Sequence, residues 1–438
     1  MTTKDILKKT LVEFSRFLLG ITFMFSGFVK AVDPLGTTYK IEDYFTAFGL
    51  NSFSWLALPL SVLLCVVEFS AGAFMFLGIY RKWTSRVMLL IMLFMTPLTL
   101  YLAIANPVSD CGCFGDALII TNWQTFYKNI FLLLAAVVCF IYYGRITNFF
   151  TGKFYWMVGL FVVAFGIIFS LYNYYHEPVF DFRPYKIGAN IPELMKVEDG
   201  KGDVYENVFI YEKDGVKKEF SEDNYPWHDT TWVFVDRQNK LIKEGEKPEI
   251  TDFVINRLYL SPDKTEFEGE ENITQEVLED SSYVFLMISY SLNDMRETYL
   301  SRFEDVNNYA KDYDYKFYCL TSSTKDYILQ WENENANNFV YCLTDARTLK
   351  TMARSNPGLI LMKNGIIINK WTGSEVPSEK ELVKPLDELS YGQPVDTKKE
   401  NKENLISIIL IFVVPLSVLK ALDVLIYRKK NRNKTDNN

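Results

Sequence analysis

Long apolar stretches alternate with short polar segments along most of this chain. Six apolar stretches are long enough to cross a lipid bilayer, for which a helix needs about 20 residues. They are residues 11–32, 54–79, 87–105, 126–143, 155–174 and 405–427. The pattern therefore predicts an α-helical membrane protein with six transmembrane helices.

The region between the fifth and sixth stretches, residues 176–403, is polar and contains patterns typical of strands and helices. Residues 283–290 are continuously apolar, which is typical of a strand buried on both faces. Asn364-Gly365 separates two apolar runs, and this dipeptide favours a tight β-hairpin. Predicted helices alternate with strands between these two points. We therefore expect an α/β domain inserted before the last membrane helix.

These patterns divide the chain into seven parts. In the part that precedes the α/β domain, residues 231–236 and 239–242 predict another hairpin. The polar composition after the α/β domain indicates a linker back to the membrane. The parts are a four-helix membrane domain (1–150), a fifth membrane helix (151–176), a β-rich extension (177–280), the α/β domain (281–391), the linker (392–404), a sixth membrane helix (405–427) and a basic tail (428–438).

Lysine and arginine are concentrated in alternate polar segments, which sets the expected orientation in the membrane. Basic loops stay in the cytoplasm. The basic residues precede helix one, join helices two and three, join helices four and five, and follow helix six: Lys4, Lys8, Lys9; Arg81, Lys82, Arg86; Arg145, Lys153; Arg428, Lys429, Lys430, Arg432, Lys434. We expect a bacterial inner-membrane protein with cytoplasmic termini and residues 177–404 in the periplasm. The net charge of −8 favours no nucleic-acid partner.

Cys111-Gly112-Cys113 is the motif with the clearest chemistry, and it lies in the predicted loop between helices three and four. Two thiols one residue apart can form a disulfide, exchange with a partner's thiols or bind a soft metal. A zinc site needs about four ligands, and the histidines, His176 and His228, are far from the pair in sequence. We expect no metal. Exchange is favoured over a structural disulfide or an inert loop because the loop is expected to be exposed outside the cytoplasm.

Glu68 is the second candidate, because it falls within predicted helix two. An ionisable side chain in the middle of a membrane is costly and often functional. It is either a neutral, hydrogen-bonded group or a proton acceptor beside the thiols or a quinone. Cys65 and Cys139 also fall in predicted membrane helices, and we expect them to be ordinary core cysteines.

Several short motifs accompany the cysteine loop within residues 11–143. They are residues 16–20, 26–30, 33–34, 67–69, 111–115, 123 and 128–129. With them this region resembles the DoxX-type four-helix membrane proteins, and its loop is similar to the MauE branch. MauE proteins are associated with methylamine utilisation and with disulfide formation in methylamine dehydrogenase, so the resemblance implies redox work by Cys111 and Cys113. A quinone is the one cofactor that DoxX relatives suggest, although no residue here selects it.

The order of predicted elements after residue 281 resembles the thioredoxin fold in its peroxiredoxin-like form. Pro357 stands where that family has a cis-proline ahead of a strand, and a proline there suits a tight turn. The family's Cys-x-x-Cys should follow the first strand, but residues 291–295 contain no cysteine. The resemblance therefore implies a thioredoxin-like domain without its own exchange site.

Cys319 and Cys342 lie in two consecutive predicted strands of this domain. If the strands pair in parallel, the two sulfurs could approach each other and form a strained disulfide. The other interpretation is two buried free cysteines that act as small apolar residues. We favour the free cysteines.

Three functions are consistent with these features. The first is an inner-membrane thiol–disulfide component that passes electrons between the membrane and a periplasmic thiol or redox protein, which would make it a thiol–disulfide oxidoreductase. The second is a non-catalytic scaffold or assembly factor in which the cysteine pair only closes the loop. A transporter is disfavoured because Glu68 and Asp423 are the obvious acids within the spans, and no paired broken helices are visible.

Overall fold

A computed structural model describes residues 3–108, 110–197, 201–243, 245, 247–263 and 265–435. The helices are α1 (Thr3–Val32), α2 (Pro34–Ala47), α3 (Ala57–Leu77), α4 (Arg81–Ala105), α5 (Asn122–Ile141), α6 (Tyr155–Tyr175), α7 (Ile191–Leu194), α8 (Thr274–Glu279), α9 (Leu300–Asp312), α10 (Lys325–Asn335), α11 (Ala346–Met352) and α12 (Thr397–Thr435). The strands are β1 (Val204–Lys213), β2 (Val216–Ser221), β3 (Val233–Lys243), β4 (Asn256–Leu260), β5 (Phe267–Asn272), β6 (Tyr283–Ser289), β7 (Lys316–Thr321), β8 (Tyr341–Leu343), β9 (Gly358–Lys363) and β10 (Ile366–Thr372).

Six helices in the described residues are long and apolar enough to cross a membrane, which confirms the six predicted spans. They are α1, α3 with the short turn before it (Asn51–Leu77), α4, α5, α6 and the part of α12 up to Arg428. Many of their outward side chains, such as Leu90, Phe94 and Leu160, are apolar and exposed. Such a surface is stable in contact with lipid, so the chain is a multi-pass membrane protein. We call α1–α6 and α12 the membrane unit.

Helices α1 and α3 approach each other backbone to backbone in this unit. A Cβ atom on Gly27 of α1 would lie 2.3 Å from the backbone nitrogen of Phe69 in α3. Small residues at such positions let membrane helices approach backbone to backbone. This contact sets Ser26 and Lys30, on the same helix, against α3 near Glu68.

Helix α2 lies where the sequence analysis expected a loop between the first two spans. Its first turn is capped by Asp33, whose Oδ1 accepts a hydrogen bond from the amide of Gly36 at 2.8 Å. Pro34 follows in the first helical position, where a missing N–H has no cost. The Asp33-Pro34 pair is therefore a helix-start signal. The length of apolar stretches does not reveal it, because α2 is not a membrane span.

A sheet domain, residues 177–396, is inserted between α6 and α12. Its larger sheet has seven strands in the order β10-β9-β6-β7-β8-β4-β5, with β6, β7 and β8 parallel and the other pairs antiparallel. Side chains of α9 and α10 cover one face. Side chains of α7, α8 and α11 cover the other. All seven residues of β6 are buried, as the continuous apolar run predicted.

Local predictions within this domain hold at two turns. Asn364 and Gly365 have positive φ angles of 50° and 71° and join β9 to β10 as a tight hairpin. The peptide bond between Asn356 and Pro357 is cis.

The structure differs from three predictions in this region. Strands β4 and β5 join the seven-stranded sheet, so the division between residues 280 and 281 falls inside one domain. Residues 231–242 do not form a hairpin, because residues 233–243 are the single strand β3, which pairs with β1 in a separate three-stranded sheet. The polar linker is also largely helical, since α12 begins at Thr397. In each case strand pairing or a helix continues past the point where the composition of the sequence changes.

Cys319 and Cys342 lie in adjacent parallel strands, but they do not face each other. Cys319 is in register with Tyr341, and Cys342 is in register with Leu320. Because side chains alternate between the faces of a sheet, a one-residue offset puts the two sulfurs on opposite faces. Each is fully buried in a different core. A bridge between them is therefore excluded, and both are free cysteines.

The sheet domain rests on the side of the membrane unit that carries the Cys111–Cys113 loop. Arg354 Nε lies 3.0 Å from Asp33 Oδ1, and Arg354 Nη2 lies 2.7 Å from Asp33 Oδ2 and 3.4 Å from Asp116 Oδ2. Burial opposes the ionised form of Asp33, but the Arg354 guanidinium holds the pKa of that carboxyl below its usual value. Since Asp116 belongs to the cysteine loop, one arginine ties the loop to the sheet domain.

The opposite-face register of Cys319 and Cys342 gives a direct prediction. Treatment of the folded protein with diamide should leave both thiols free. Peptide mapping without reduction, after alkylation of the unfolded chain, should find each of them alkylated. A peptide containing a Cys319–Cys342 bond would contradict the register.

Candidate functional site

The Cys111–Cys113 segment forms a tight turn that brings the two cysteines together. Oδ1 of Asp110 accepts a hydrogen bond from the amide of Gly112 at 2.8 Å. Gly112 has a φ of +62°, a conformation that glycine adopts without strain. The turn directs the amide of Cys113 back to Sγ of Cys111 at 3.3 Å. One cysteine thus supplies a backbone donor to the sulfur of the other.

Both thiols are buried, which corrects the expectation that they are exposed. Cys111 and Cys113 are each 8% exposed, and they pack against Leu102 of α4. Both are free cysteines in this structure. Any exchange with a partner therefore requires the cover over the loop to move.

Helix α2 provides part of this cover. Nζ of Lys40 forms an ion pair with Oδ2 of Asp110 at 2.7 Å. The aliphatic part of Lys40 lies over Gly112, where a Cβ atom would be 3.3 Å from Lys40 Cγ. The hydroxyl of Tyr44 donates a hydrogen bond to the carbonyl of Cys111 at 2.9 Å. Lys40 and Tyr44 therefore hold α2 across the turn.

The two thiols have very different acidities. The hydrogen bond from the Cys113 thiol lowers the pKa of Cys111 to about 6, and the amide of Cys113 and the charge of Lys128 act in the same direction against the effect of burial. The same hydrogen bond, together with burial, raises the pKa of Cys113 above its usual value. The pair therefore favours a single thiolate on Cys111. A thiolate is the nucleophilic form of cysteine.

Glu68 takes part in a buried network beneath the loop. Nζ of Lys30 lies 2.7 Å from Oε2 of Glu68, and both side chains are at most 7% exposed. Lys30 also donates hydrogen bonds to Oγ of Ser26 at 2.7 Å and to the carbonyl of Cys113 at 2.9 Å. The Ser26 hydroxyl lies 2.7 Å from both Glu68 Oε2 and the Cys113 carbonyl. The network reaches the backbone carbonyl of Cys113, so Glu68 is linked to the loop through Lys30 and Ser26.

Sequence reasoning missed Lys30, Ser26, Lys40 and Tyr44. Lys30 and Ser26 lie four residues apart in α1, and that spacing puts them on one helix face. A basic residue at the end of an apolar span is commonly an interfacial anchor, so nothing in the sequence indicated that Lys30 points inward to Glu68. Lys40 and Tyr44 have the same spacing in the helix that was expected to be a loop.

The other candidate residues lie within the helices or elsewhere in the structure. Cys65 and Cys139 are buried free cysteines within the helices, as expected. His176 is half-buried and lies 3.8 Å from Glu375, and His228 is exposed beside Trp227. Asp423 accepts a hydrogen bond from the amide of Thr151 at 2.9 Å at the other end of the bundle. Within the described residues no three His, Cys, Asp or Glu side chains are grouped as a metal site would require.

The unequal thiols predict the pH dependence of alkylation. Because only the thiolate reacts, labelling of Cys111 by iodoacetamide should accelerate as the pH rises through about 6 and then level off. Cys113 should be labelled only at higher pH. Mass spectrometry of the loop peptide over a pH series measures both.

Cys113→Ser is the matched variant for that experiment. It replaces the thiol that lowers the pKa of Cys111 with a hydroxyl, so the pH at which labelling of Cys111 is half-maximal should change. A pH midpoint of about 8.5 for Cys111 labelling in the wild type, the value for an ordinary cysteine, would contradict the described geometry.

The buried ion pair predicts a specific pattern of stability. Glu68→Leu leaves the Lys30 ammonium without its carboxylate, and removing one partner of a buried pair costs about 3–5 kcal/mol. The double variant Lys30→Met/Glu68→Leu removes both charges and should recover most of that loss. Thermal unfolding in detergent compares the two. A double variant that is no more stable than Glu68→Leu would contradict the claim that the unpaired Lys30 charge causes the loss of stability.

Comparison with known families and structures gives four results. Residues 8–142 match the sequence model of a family described as methylamine utilisation protein MauE. Residues 205–244, which include most of β1 and all of β2 and β3, match a domain of unknown function, DUF8463. No curated protein matches the chain. Among solved structures, the mitochondrial 2-Cys peroxiredoxin from Plasmodium falciparum matches at 14% identity over 36% of this chain and 91% of its own, with a TM-score of 0.21. The first four spans and the cysteine loop are thus similar to the MauE family.

Proposed function

We propose that this protein is a thiol–disulfide redox component of a bacterial inner membrane, with Cys111 and Cys113 as its exchange centre. The observation that carries the proposal is the Cys113 amide donating to Cys111 Sγ at 3.3 Å, beside a Cys113 thiol that lowers the Cys111 pKa to about 6. A purely structural loop has no need of one activated sulfur. An exchange centre needs a thiolate next to a resolving thiol.

The exchange begins with the Cys111 thiolate. It attacks one sulfur of a partner disulfide, so that a Cys111–partner disulfide forms and the partner's S–S bond breaks. The released partner sulfur takes up a proton. Cys113 then loses its proton and attacks the Cys111 sulfur, which forms the Cys111–Cys113 disulfide and releases the second partner thiol. Two electrons pass from the loop to the partner.

The reverse sequence oxidises a partner dithiol. A partner thiolate attacks the Cys111–Cys113 disulfide, and its second thiol then releases the loop as a dithiol. A complete cycle combines one reaction of each kind with two different thiol proteins, so atoms and electrons balance. The direction in the cell depends on the reduction potentials of those proteins.

The Lys30–Glu68 network is the positioning element in this proposal. It holds the carbonyl of Cys113 and places a positive charge under the loop, where it favours a thiolate. Glu68 balances that charge in the apolar interior. We therefore assign Glu68 to positioning rather than to proton transfer at sulfur.

The DoxX resemblance suggests a quinone without any residue that selects it, and Lys30 beneath the loop has no donor left for one. A quinone carbonyl needs a hydrogen-bond donor, and an ammonium group has three. All three of Lys30 are taken by Ser26, Glu68 and the Cys113 carbonyl. No step of the proposed exchange passes through a quinone.

We also propose that the sheet domain is thioredoxin-like and serves as a cover and partner platform in the periplasm. Its parallel strands β6, β7 and β8 and its hairpin β9–β10 support that fold. Residues 291–295 have no cysteine, so the exchange chemistry belongs to the loop. The basic loops support cytoplasmic termini, and the family description suggests methylamine utilisation as the setting.

Trapping of a mixed disulfide tests the proposal. Cys113→Ser keeps the attacking Cys111 but removes the thiol that resolves the intermediate. Cells expressing this variant should accumulate a disulfide-linked complex, visible on non-reducing gels and lost on reduction. Cys111→Ser is the matched control and should accumulate far less of it.

The alternative function, a non-catalytic scaffold, has the burial of both thiols in its favour. It predicts no complex with either variant and full biological function in Cys111→Ser. That combination would overturn the redox proposal.

A further inference from the structure

A cavity of about 1170 Å³ lies between α2, the cysteine loop and the sheet domain. Its membrane-side walls include residues of α2 and of the loop. The wall from the sheet domain comes from the segment after α6, residues 178–186, and from α11 and Arg354. The two sulfurs do not line it. They lie behind Gly112, which does.

The cavity follows nearly the whole length of α2. Eight residues of α2 line it, and they recur three or four positions apart along the helix: Gly36, Thr37, Tyr39, Lys40, Glu42, Asp43, Thr46 and Ala47. A helix of 14 residues is about 21 Å long at a rise of about 1.5 Å per residue. An extended chain covers that distance with about six residues. The cavity is therefore long enough for a peptide segment and much longer than a small thiol requires.

Charged side chains of both signs project from facing walls. Asp43 is on α2, Arg347 is on α11 and Lys186 is on the segment after α6. Glu42 of α2 and Lys350 of α11 form an ion pair with each other at 3.8 Å. Among the described residues, Asp43, Arg347 and Lys186 are exposed and form no ion pair with another side chain. A polar polypeptide can offer charges to both walls at once.

The floor of the cavity suits the close approach of another chain. Gly112 and Gly115 expose backbone without a side chain, and glycine allows such an approach. Lys40 lies over Gly112 on a flexible stem and is 29% exposed, so it can leave the turn without disturbing the helix. Its departure would open the path from the cavity to Cys111.

We propose that this cavity binds an extended polypeptide segment of the partner protein, about six residues long, and presents its cysteine to Cys111 past Lys40. The thiol chemistry rests on the proposed function. The binding does not, because it depends on the walls of the cavity alone.

Binding can be measured without any loop thiol. The full-length Cys111→Ser/Cys113→Ser protein in detergent is titrated against a fluorescein-labelled ten-residue peptide with alternating lysine and glutamate around a central serine. Fluorescence anisotropy should show saturable binding. Thr46→Trp, which fills the exposed far end of the cavity, should weaken it by about tenfold, equal to about 1.4 kcal/mol, and Thr46→Ala should change it little.

A second measurement uses the intact cysteine pair. The same peptide with a central cysteine, linked to a second copy by a disulfide, should oxidise Cys111–Cys113 at least about ten times faster than oxidised glutathione at equal concentration. Thr46→Trp should remove this advantage and leave the glutathione rate unchanged.

The outcomes separate the two proposals. No saturable peptide binding, equal binding by Thr46→Trp and Thr46→Ala, or equal rates for the peptide and glutathione would overturn the peptide site. Saturable binding together with a cysteine pair that never changes redox state would leave the site in place and overturn the proposed function.

Discussion

The buried Lys30–Glu68 pair is the interaction on which the rest of the site depends. Two charges inside a membrane helix bundle are costly, and they are tolerated here because each has partners at hydrogen-bond distance. Lys30 uses its three donors on Glu68, Ser26 and the carbonyl of Cys113. The last of these bonds joins the bundle interior to the backbone of the cysteine turn. We therefore expect a change in the pair to alter the position of Cys113 and, through it, the acidity of Cys111.

The second constraint is the cover above the loop, which explains how activated thiols can be buried. Lys40 and Tyr44 hold α2 over the turn, and Arg354 joins Asp33 at the start of α2 to Asp116 of the loop. The same elements form the walls of the cavity. In the proposed function, one set of contacts would therefore both protect the thiols and select a partner, since a partner that enters the cavity would meet the cover before it meets sulfur.

Features that depend on local pattern were predictable from the sequence, and features that depend on register or on distant contacts were not. The six spans, the buried strand β6 and the Asn364-Gly365 turn follow from apolar length and turn chemistry. The separation of Cys319 and Cys342 depends on a register offset of one residue, which no pattern records. Cys111, Cys113 and Glu68 were recognised as candidates, but the role of Lys30 required the α1–α3 contact, and the burial of the thiols required α2.

A redox titration of the Cys111–Cys113 pair in the intact protein tests the central claim most directly. Membranes containing the protein are equilibrated in glutathione buffers of graded potential, and the oxidation state of the loop peptide is read by alkylation and mass spectrometry. The account predicts one reversible two-electron transition in which both cysteines change together. The ratio of oxidised to reduced loop should change tenfold for about every 29.6 mV. A pair that stays entirely reduced or entirely oxidised across the series would contradict it.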